Sequence, residues 1–389
     1  MLYTLYNANI ITVTEADIEN GYLTYDGDTG KITDIGGMDN APDLTEGAFD
    51  CKRGTLMPGF IDAHCHVGGF VLGDCDDNEV TDPITPHLRA IDSVSGNDEY
   101  FIEAAGAGVT TILAGVGSAN PIGGTFVALR TGAGKSVDER IIKETAAMKF
   151  AFGENPKRCY EERDEAPNTR MATAALIREA LFKAKKYLGA TEAFEYGTKD
   201  DEPDFDMKCE ALLPVLNREV KVQMHCHRAD DIFTAIRIGK EFNLDFVLIH
   251  ATDGELIAKE IAASGAPCVV GPVISEKCKQ ELKNHSISLA ATLTKAGVKT
   301  AICTDHPVVP IQYLPLSAGL AIRGGLTEAE ALAAITKTAA EVAGLIEQKG
   351  TLEVGKDADL VLFAENARFF DVTATPVRVV IEGKICQEK

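Results

Sequence analysis

No run of about 20 apolar residues interrupts this 389-residue chain, so no segment is suited to crossing a bilayer as a helix. Basic residues are scarce: 38 Lys and Arg stand against 59 Asp and Glu, a formal net charge of −21. A field of that sign repels phosphate backbones and anionic lipid surfaces, which argues against a nucleic-acid or membrane partner. The 10 cysteines include no C-x-x-C pair and are scattered among strand-like and helix-like segments, which suits reduced thiols better than a disulfide framework. The opening Met1-Leu2-Tyr3-Thr4-Leu5-Tyr6 lacks a basic n-region and a cleavage site, so a signal peptide is not expected and a cytoplasmic location is. Internal repeats and low-complexity segments are also missing.

What is present is an average globular composition, 45% apolar and 25% charged, in a chain long enough for a large domain and an accessory unit. One stretch organises it: Leu56-Met57-Pro58-Gly59-Phe60-Ile61-Asp62-Ala63-His64-Cys65-His66. Its apolar, strand-forming run delivers two histidines at i and i+2, which point the same way from an extended strand. Two imidazoles at one strand end can grip a single metal ion.

Residues 1–54 read as short strands and turns, too few to bury a core of their own. The far end supplies matching pieces. A strand follows Gly355-Lys356-Asp357-Ala358-Asp359, and a hairpin is expected about Glu382-Gly383. A small composite β-sandwich of residues 1–54 and 352–389 is therefore expected. Between the termini, eight strand-like runs alternate with helical patterns. They are the first strand, then 108–113, 126–130, 147–152, 220–225, 246–250, 267–271 and 299–305. Eight β/α units in about 300 residues fit a TIM (β/α)8 barrel over 55–351, an α/β fold. A doubly wound open sheet is the alternative, but no phosphate-binding glycine fingerprint follows the first strand. Helices are expected over 231–242, over 255–263, and from a Thr327–Glu330 capping box toward Leu345.

In such a barrel, chemistry sits at the C-terminal strand ends, and metal-binding residue types occur there in order: His64 and His66, His225, His250 and Asp305. This order, with the P-G-F-I-D-A-H-C-H opening and the G-K-D-A-D-L-V segment near the far end, resembles the amidohydrolase superfamily, and in particular its imidazolonepropionase-like and dipeptidase-like branch. The resemblance implies a divalent metal, Zn²⁺ or another ion of similar preference, as one or two ions. His64, His66 and Asp305 would hold the first ion, and His225 and His250 a second, or one of them the substrate. Asp305 would act as general acid and base while metal-activated hydroxide attacks a C–N bond. The family also often forms oligomers.

On the fourth strand, the resemblance implies a bridge between the two ions. Lys149 is one candidate, because a lysine in an apolar strand is costly unless neutralised or converted to a carbamate. Glu154 is the other. Arg228 stands where deaminase members carry the glutamate of H-x-x-E. That departure weakens a mononuclear deaminase reading and suggests a fork for a substrate carboxylate, with a surface salt bridge as the alternative. His227 faces the same way as His225 but lies past the expected strand end. His306 is a candidate for shaping the pocket, against a plain local turn. Gly123-Gly124 reads as a turn or as a close approach to a ligand. The function expected is hydrolysis of the amide bond of a cyclic amide, an N-acyl amino acid or a dipeptide. A catalytically inactive metal-binding barrel is the reading from a different class.

Overall fold

The computed structural model describes residues 1–14, 16–44, 46–71 and 75–388. Among them are β1 (Leu2–Ile10), β2 (Ile18–Asp26), β3 (Lys31–Gly37), β4 (Ala48–Asp50), β5 (Thr55–Pro58), β6 (Phe60–Cys65), β7 (Val109–Gly115) and β8 (Ile122–Arg130). Then follow β9 (Ile141–Ala151), β10 (Lys221–Cys226), β11 (Phe246–His250), β12 (Cys268–Val270), β13 (Thr300–Ile302), β14 (Leu360–Phe363), β15 (Arg378–Ile381) and β16 (Lys384–Glu388).

Strands from the two chain ends join in one sheet, ordered β16-β15-β14-β5-β1-β2-β3, with β4 beside β1. Leu5, Leu23, Ile32 and Leu56 from one end share a core with Leu360, Leu362 and Val380 from the other. The hairpin forms about Glu382 and Gly383, whose φ angles of 47° and 75° match the twist of a tight two-residue turn. Asp359 anchors this end of the chain: it accepts from the buried Lys349 ammonium at 2.8 Å and from Glu382 N at 2.8 Å. The stretch expected as one strand from Leu56 is two, because β5 belongs to the terminal sheet and β6 to the other. The chain crosses between them at Gly59, where a Cβ would fall 2.2 Å from Thr110 Oγ1, so only glycine passes.

The second sheet runs β6 to β13 in unbroken sequence order, giving a mixed α/β molecule with a nearly closed eight-stranded barrel sheet. It departs from eight regular β/α units. β8 is antiparallel to both β7 and β9, whereas the other neighbours are parallel. The physical reason is connection length. Only residues 116–121 link β7 to β8, and a parallel crossover needs about a dozen residues or more. Gly123 and Gly124 are not a turn; they lie in β8. A Cβ on Gly124 (φ 130°) would meet the Leu88 carbonyl oxygen at 2.5 Å, so the close approach is to the chain's own backbone.

Among the described residues, no backbone ladder pairs β13 with β6, and a side chain spans that seam. The buried Asp62 carboxylate accepts from Thr304 N (2.9 Å), Thr304 Oγ1 (2.6 Å) and His64 N (3.1 Å). Just beyond, His66 N donates to the His306 carbonyl at 2.9 Å. Ile61 and Ala63 pack with Val247, Ile249 and Ala301 onto Ala339 and Ala340 of the helix Lys337–Ala343. Val247 and Ile249 are in register with Gln223 and His225, so this cluster fills the barrel interior beneath the histidines, and the β6–β7 register shifts between Asp62 and Cys65.

The helix Ala229–Glu241 buries Ile232, Ala235 and Ile236, the face its periodicity marks. The segment expected as a helix over 255–263 is a 3₁₀ turn (Thr252–Ile257) followed by Ala258–Ser264. The Thr327–Glu330 capping box is present, but its helix stops at Ala334 instead of running toward Leu345. The Ile335 carbonyl is taken by Ile61 N of β6 at 2.7 Å, and Thr336 leaves helical geometry before a second short helix begins. Among the described residues, no helix is long and apolar enough to cross a membrane.

Candidate metal centre

Five histidines converge at one end of the barrel sheet, and four of them are anchored through Nδ1. His66 and His250 donate from Nδ1 to the carbonyls of Gly115 and Gly271, each at 2.7 Å. His64 donates from Nδ1 to Gln223 Oε1 at 2.6 Å, and the Gln223 amide is oriented by its own bond to the Ala63 carbonyl at 2.9 Å. His227 Nδ1 meets Thr252 Oγ1 at 2.8 Å. An imidazole held as donor at Nδ1 keeps a lone pair on Nε2, the tautomer that ligates metal. His225 is buried with its Nε2 3.4 Å from Asn155 Nδ2.

Two groups of ligand atoms result, each with all members within 4.8 Å of one another: His64, His250 and Asp305, and His225, His227 and His250. Asp305 Oδ1 stands 3.5 Å from His64 Nε2 and 3.4 Å from His66 Nε2, which adds His66 to the first group. Lys149 Nζ lies 3.2 Å from His64 Nε2 and 5.5 Å from the centre of the Phe126 ring. His66, Lys149, His225, His227, His250 and Asp305 all line one cavity of about 590 Å³. Imidazole nitrogen with a carboxylate is a donor set that fits a divalent ion of zinc-like preference.

The electrostatics agree with that fit. Burial holds His64, His225 and His227 well below the ordinary imidazole value, and His250 at about 4, so their rings are neutral at physiological pH. Burial also pushes the Lys149 ammonium down to about 8. Burial opposes ionisation of Asp305, but His250, His66 and His64 outweigh it and hold the carboxyl well below its usual range. Two of these residues sit on left-handed backbone, His250 at φ 69° and Asp305 at φ 54°. Non-glycine residues there carry strain of about 1–3 kcal/mol each, tolerated where the surroundings over-determine the conformation.

Three residues expected near the chemistry are placed elsewhere. Glu154 opens the helix Glu154–Glu161 and pairs with Arg158 at 3.1 Å, so Lys149, and not Glu154, reaches the cluster. Arg228 forks onto Asp230 at 2.9 and 2.8 Å and is not among the cavity-lining residues, so of its two readings the salt bridge is the one present. His306 is buried against the Tyr100 ring, with centroids 4.3 Å apart. Its Nδ1 accepts from Ile311 N at 3.2 Å, the reverse of the anchored histidines, so it serves the local turn.

His227, expected past the strand end, lines the cavity. The signal was available, because His64-Cys65-His66 and His225-Cys226-His227 are the same tripeptide. Gln223, Asn155, Lys279 and Glu281 had no such signal, since each reaches the site from a position unremarkable in sequence.

A family model described as "Amidohydrolase family" matches residues 55–386. The chain belongs to the amidohydrolase family. A relative named amidohydrolase tasK, from Hapsidospora irregularis, is 28% identical over 382 residues, which cover 91% of this chain and 39% of that relative's length. An imidazolonepropionase from Psychromonas ingrahamii is 25% identical over 408 residues, covering 92% of each chain. Among solved structures, an amidohydrolase from Thermotoga maritima MSB8 is 37% identical, with a TM-score of 0.93 and full coverage of both chains. The family membership and the donor set point the same way, to a centre for a divalent ion.

Proposed function

We propose that this chain is a metal-dependent hydrolase acting on the amide C–N bond of a small substrate: a cyclic amide, an N-acyl amino acid or a dipeptide. In this reading the terminal sheet, residues 1–54 and 352–389, frames a (β/α)8-derived catalytic barrel over 55–351. The observation that carries it is Asp305, a half-buried carboxylate 3.4–3.5 Å from two histidine Nε2 atoms on the wall of the cavity. His64, His66 and Asp305 would hold one ion, and His225 and His250 a second, with Zn²⁺ the best match to the ligand chemistry. Lys149 would lie between them, its depressed pKa making the neutral amine available for carboxylation to a bridging carbamate. Bound there, such ions would supply a water of lowered pKa and polarisation of the scissile carbonyl. Asp305 remains ionised at neutral pH, so it can take the proton released on attack and pass it to the leaving nitrogen. The cavity of about 590 Å³ suits a small molecule and not a folded protein.

The test combines elemental analysis with turnover. Protein grown with zinc and bicarbonate is assayed for metal content, then against cyclic amides, N-acyl amino acids and dipeptides. Bound metal with amide cleavage supports the proposal. Ammonia release from amino-heterocycles, with no amide cleaved, would move the chain to the deaminases. Absence of tightly bound metal would sink the reading altogether.

A further inference from the structure

The second cluster contains one histidine more than the two assigned above, and that residue is His227. It follows the last residue of β10, and its backbone is pinned there: its carbonyl accepts from Asp253 N at 2.8 Å, while the Asp253 carboxylate accepts from Ala229 N at 3.0 Å. The His227 ring stacks on His250 with centroids 4.7 Å apart and planes 12° from parallel, and it meets His225 edge to face at 4.7 Å. Three imidazoles, each with a ligand nitrogen within 4.8 Å of the others, are all buried in a common wall.

Such an arrangement needs a reason. Apolar side chains of similar size would fill the space at lower desolvation cost, so three packed imidazoles without a ligand would be a liability. Two further groups are arranged as a support for metal ligation. Thr252 Oγ1 holds His227 Nδ1 at 2.8 Å, which leaves Nε2 to the cavity side. The Glu281 carboxylate, 1% exposed, places Oε1 3.8 Å from His227 Nε2 and 3.1 Å from Lys279 Nζ. The charge of that oxygen is met by the Lys279 ammonium, an ion pair made without hydrogen-bond geometry. The other Glu281 oxygen accepts from Glu154 N at 3.1 Å, so the carboxylate is fixed in place.

We infer that His227 is a third protein ligand of the second ion, so that His225, His227 and His250 form an all-imidazole site for a divalent ion of zinc type, with the Glu281 carboxylate beside it. The inference rests on the metal-dependent reading above and deepens it. It makes the two ion positions chemically unlike. The first is His/His/Asp and carries the anion. The second is neutral in its histidines and depends on Glu281 and on any bridge from Lys149 for compensating charge. An imidazole-only set favours zinc and its later-row neighbours over magnesium or calcium, whose ligands are oxygen.

The experiment is metal titration of the whole chain, stripped and reloaded with Zn²⁺ followed by calorimetry, or with Co²⁺ followed by visible absorption. Wild type, His227→Ala and Thr252→Val are compared, with circular dichroism to check that each variant folds. The expected result is two equivalents in wild type, with one of them lost or weakened at least 100-fold in His227→Ala while the other keeps its affinity. Thr252→Val, which leaves all three rings in place, should weaken the same equivalent by about 10–100-fold. If wild type holds a single ion that His227→Ala releases, the inference stands, with that ion at the imidazole site. Two undisturbed equivalents in both variants, or a single ion indifferent to His227→Ala, overturn the inference and leave the metal-dependent reading intact. A wild-type chain that binds no ion overturns both. Should His227→Ala not fold, His227→Gln and Thr252→Val carry the same decision.

Discussion

The tripeptide His-Cys-His occurs twice, at the ends of β6 and β10, and the two copies have the same local geometry. The ring pairs are edge to face in each, with centroids 5.3 Å and 80° apart for His64 and His66, and 4.7 Å and 88° for His225 and His227. The middle cysteine of each is buried in the apolar core, and burial drives its thiol well above the ordinary value, so neither offers a thiolate. The copies differ in their third partners. The first faces Asp305 from beyond β13, which brings a negative charge within 3.4–3.5 Å of its nitrogens. The second faces His250 from β11 and brings no charge of its own. Identical local sequence thus places similar rings, and the neighbouring strand decides whether a carboxylate stands beside them.

The sharpest way to break this comparison is to remove the charge from the first copy. Asp305→Asn should lower kcat by about 10²–10⁴-fold, while the ion at His225 and His250 stays bound by elemental analysis. An active variant would mean that the two copies do not divide the chemistry. The bridge between them is tested next. Because burial sets Lys149 at about 8, its neutral fraction should rise steeply from pH 7 to pH 9, well before that of an ordinary lysine. Incorporation of labelled bicarbonate, followed by carbon-13 NMR, should grow over that range in wild type and vanish in Lys149→Arg. A third prediction compares the anchors. Gln223→Leu frees His64 Nδ1 and should weaken the ion at the first copy by about 10–100-fold without affecting the second. Loss at both copies would show that they are not separable. The smallest expected effect is at Arg228, which touches Asp230 and not the cavity. Arg228→Ala should leave KM unchanged and stability within about 0.5 kcal/mol. A raised KM would return Arg228 to the substrate.

Much of this arrangement was legible because periodicity is a local property. Each of the eight expected barrel strands overlaps an observed one, although β8 and β9 begin several residues earlier than expected, and the Thr327–Glu330 capping box forms as its spacing requires. The strand-end placement of His64, His66, His225, His250 and Asp305 follows from the same pattern. The direction of β8 depends on the length of the link before it, residues 116–121, and not on the periodicity of the strand itself. His227 lies one residue beyond β10, and strand ends read from sequence are uncertain by a residue or two, which hides its place in the cluster. Arg228 takes the salt bridge among its two expected readings, and Glu154 lies away from the cluster that Lys149 reaches. Each found a nearer opposite charge, Asp230 and Arg158, and a pairing two to four residues away competes directly with any role in a distant pocket.

The sequence by itself determined which residue types stand at the strand ends and that they face one side, because a two-residue period allows no other choice. Only the tertiary structure decided which of them meet. The bonds that orient His64, His66 and His250 come from Gln223, Gly115 and Gly271, 159, 49 and 21 residues away, and Asp62 closes the barrel seam onto Thr304, 242 residues away. Contacts at such separations depend on the closure of the whole sheet, and no local pattern encodes them.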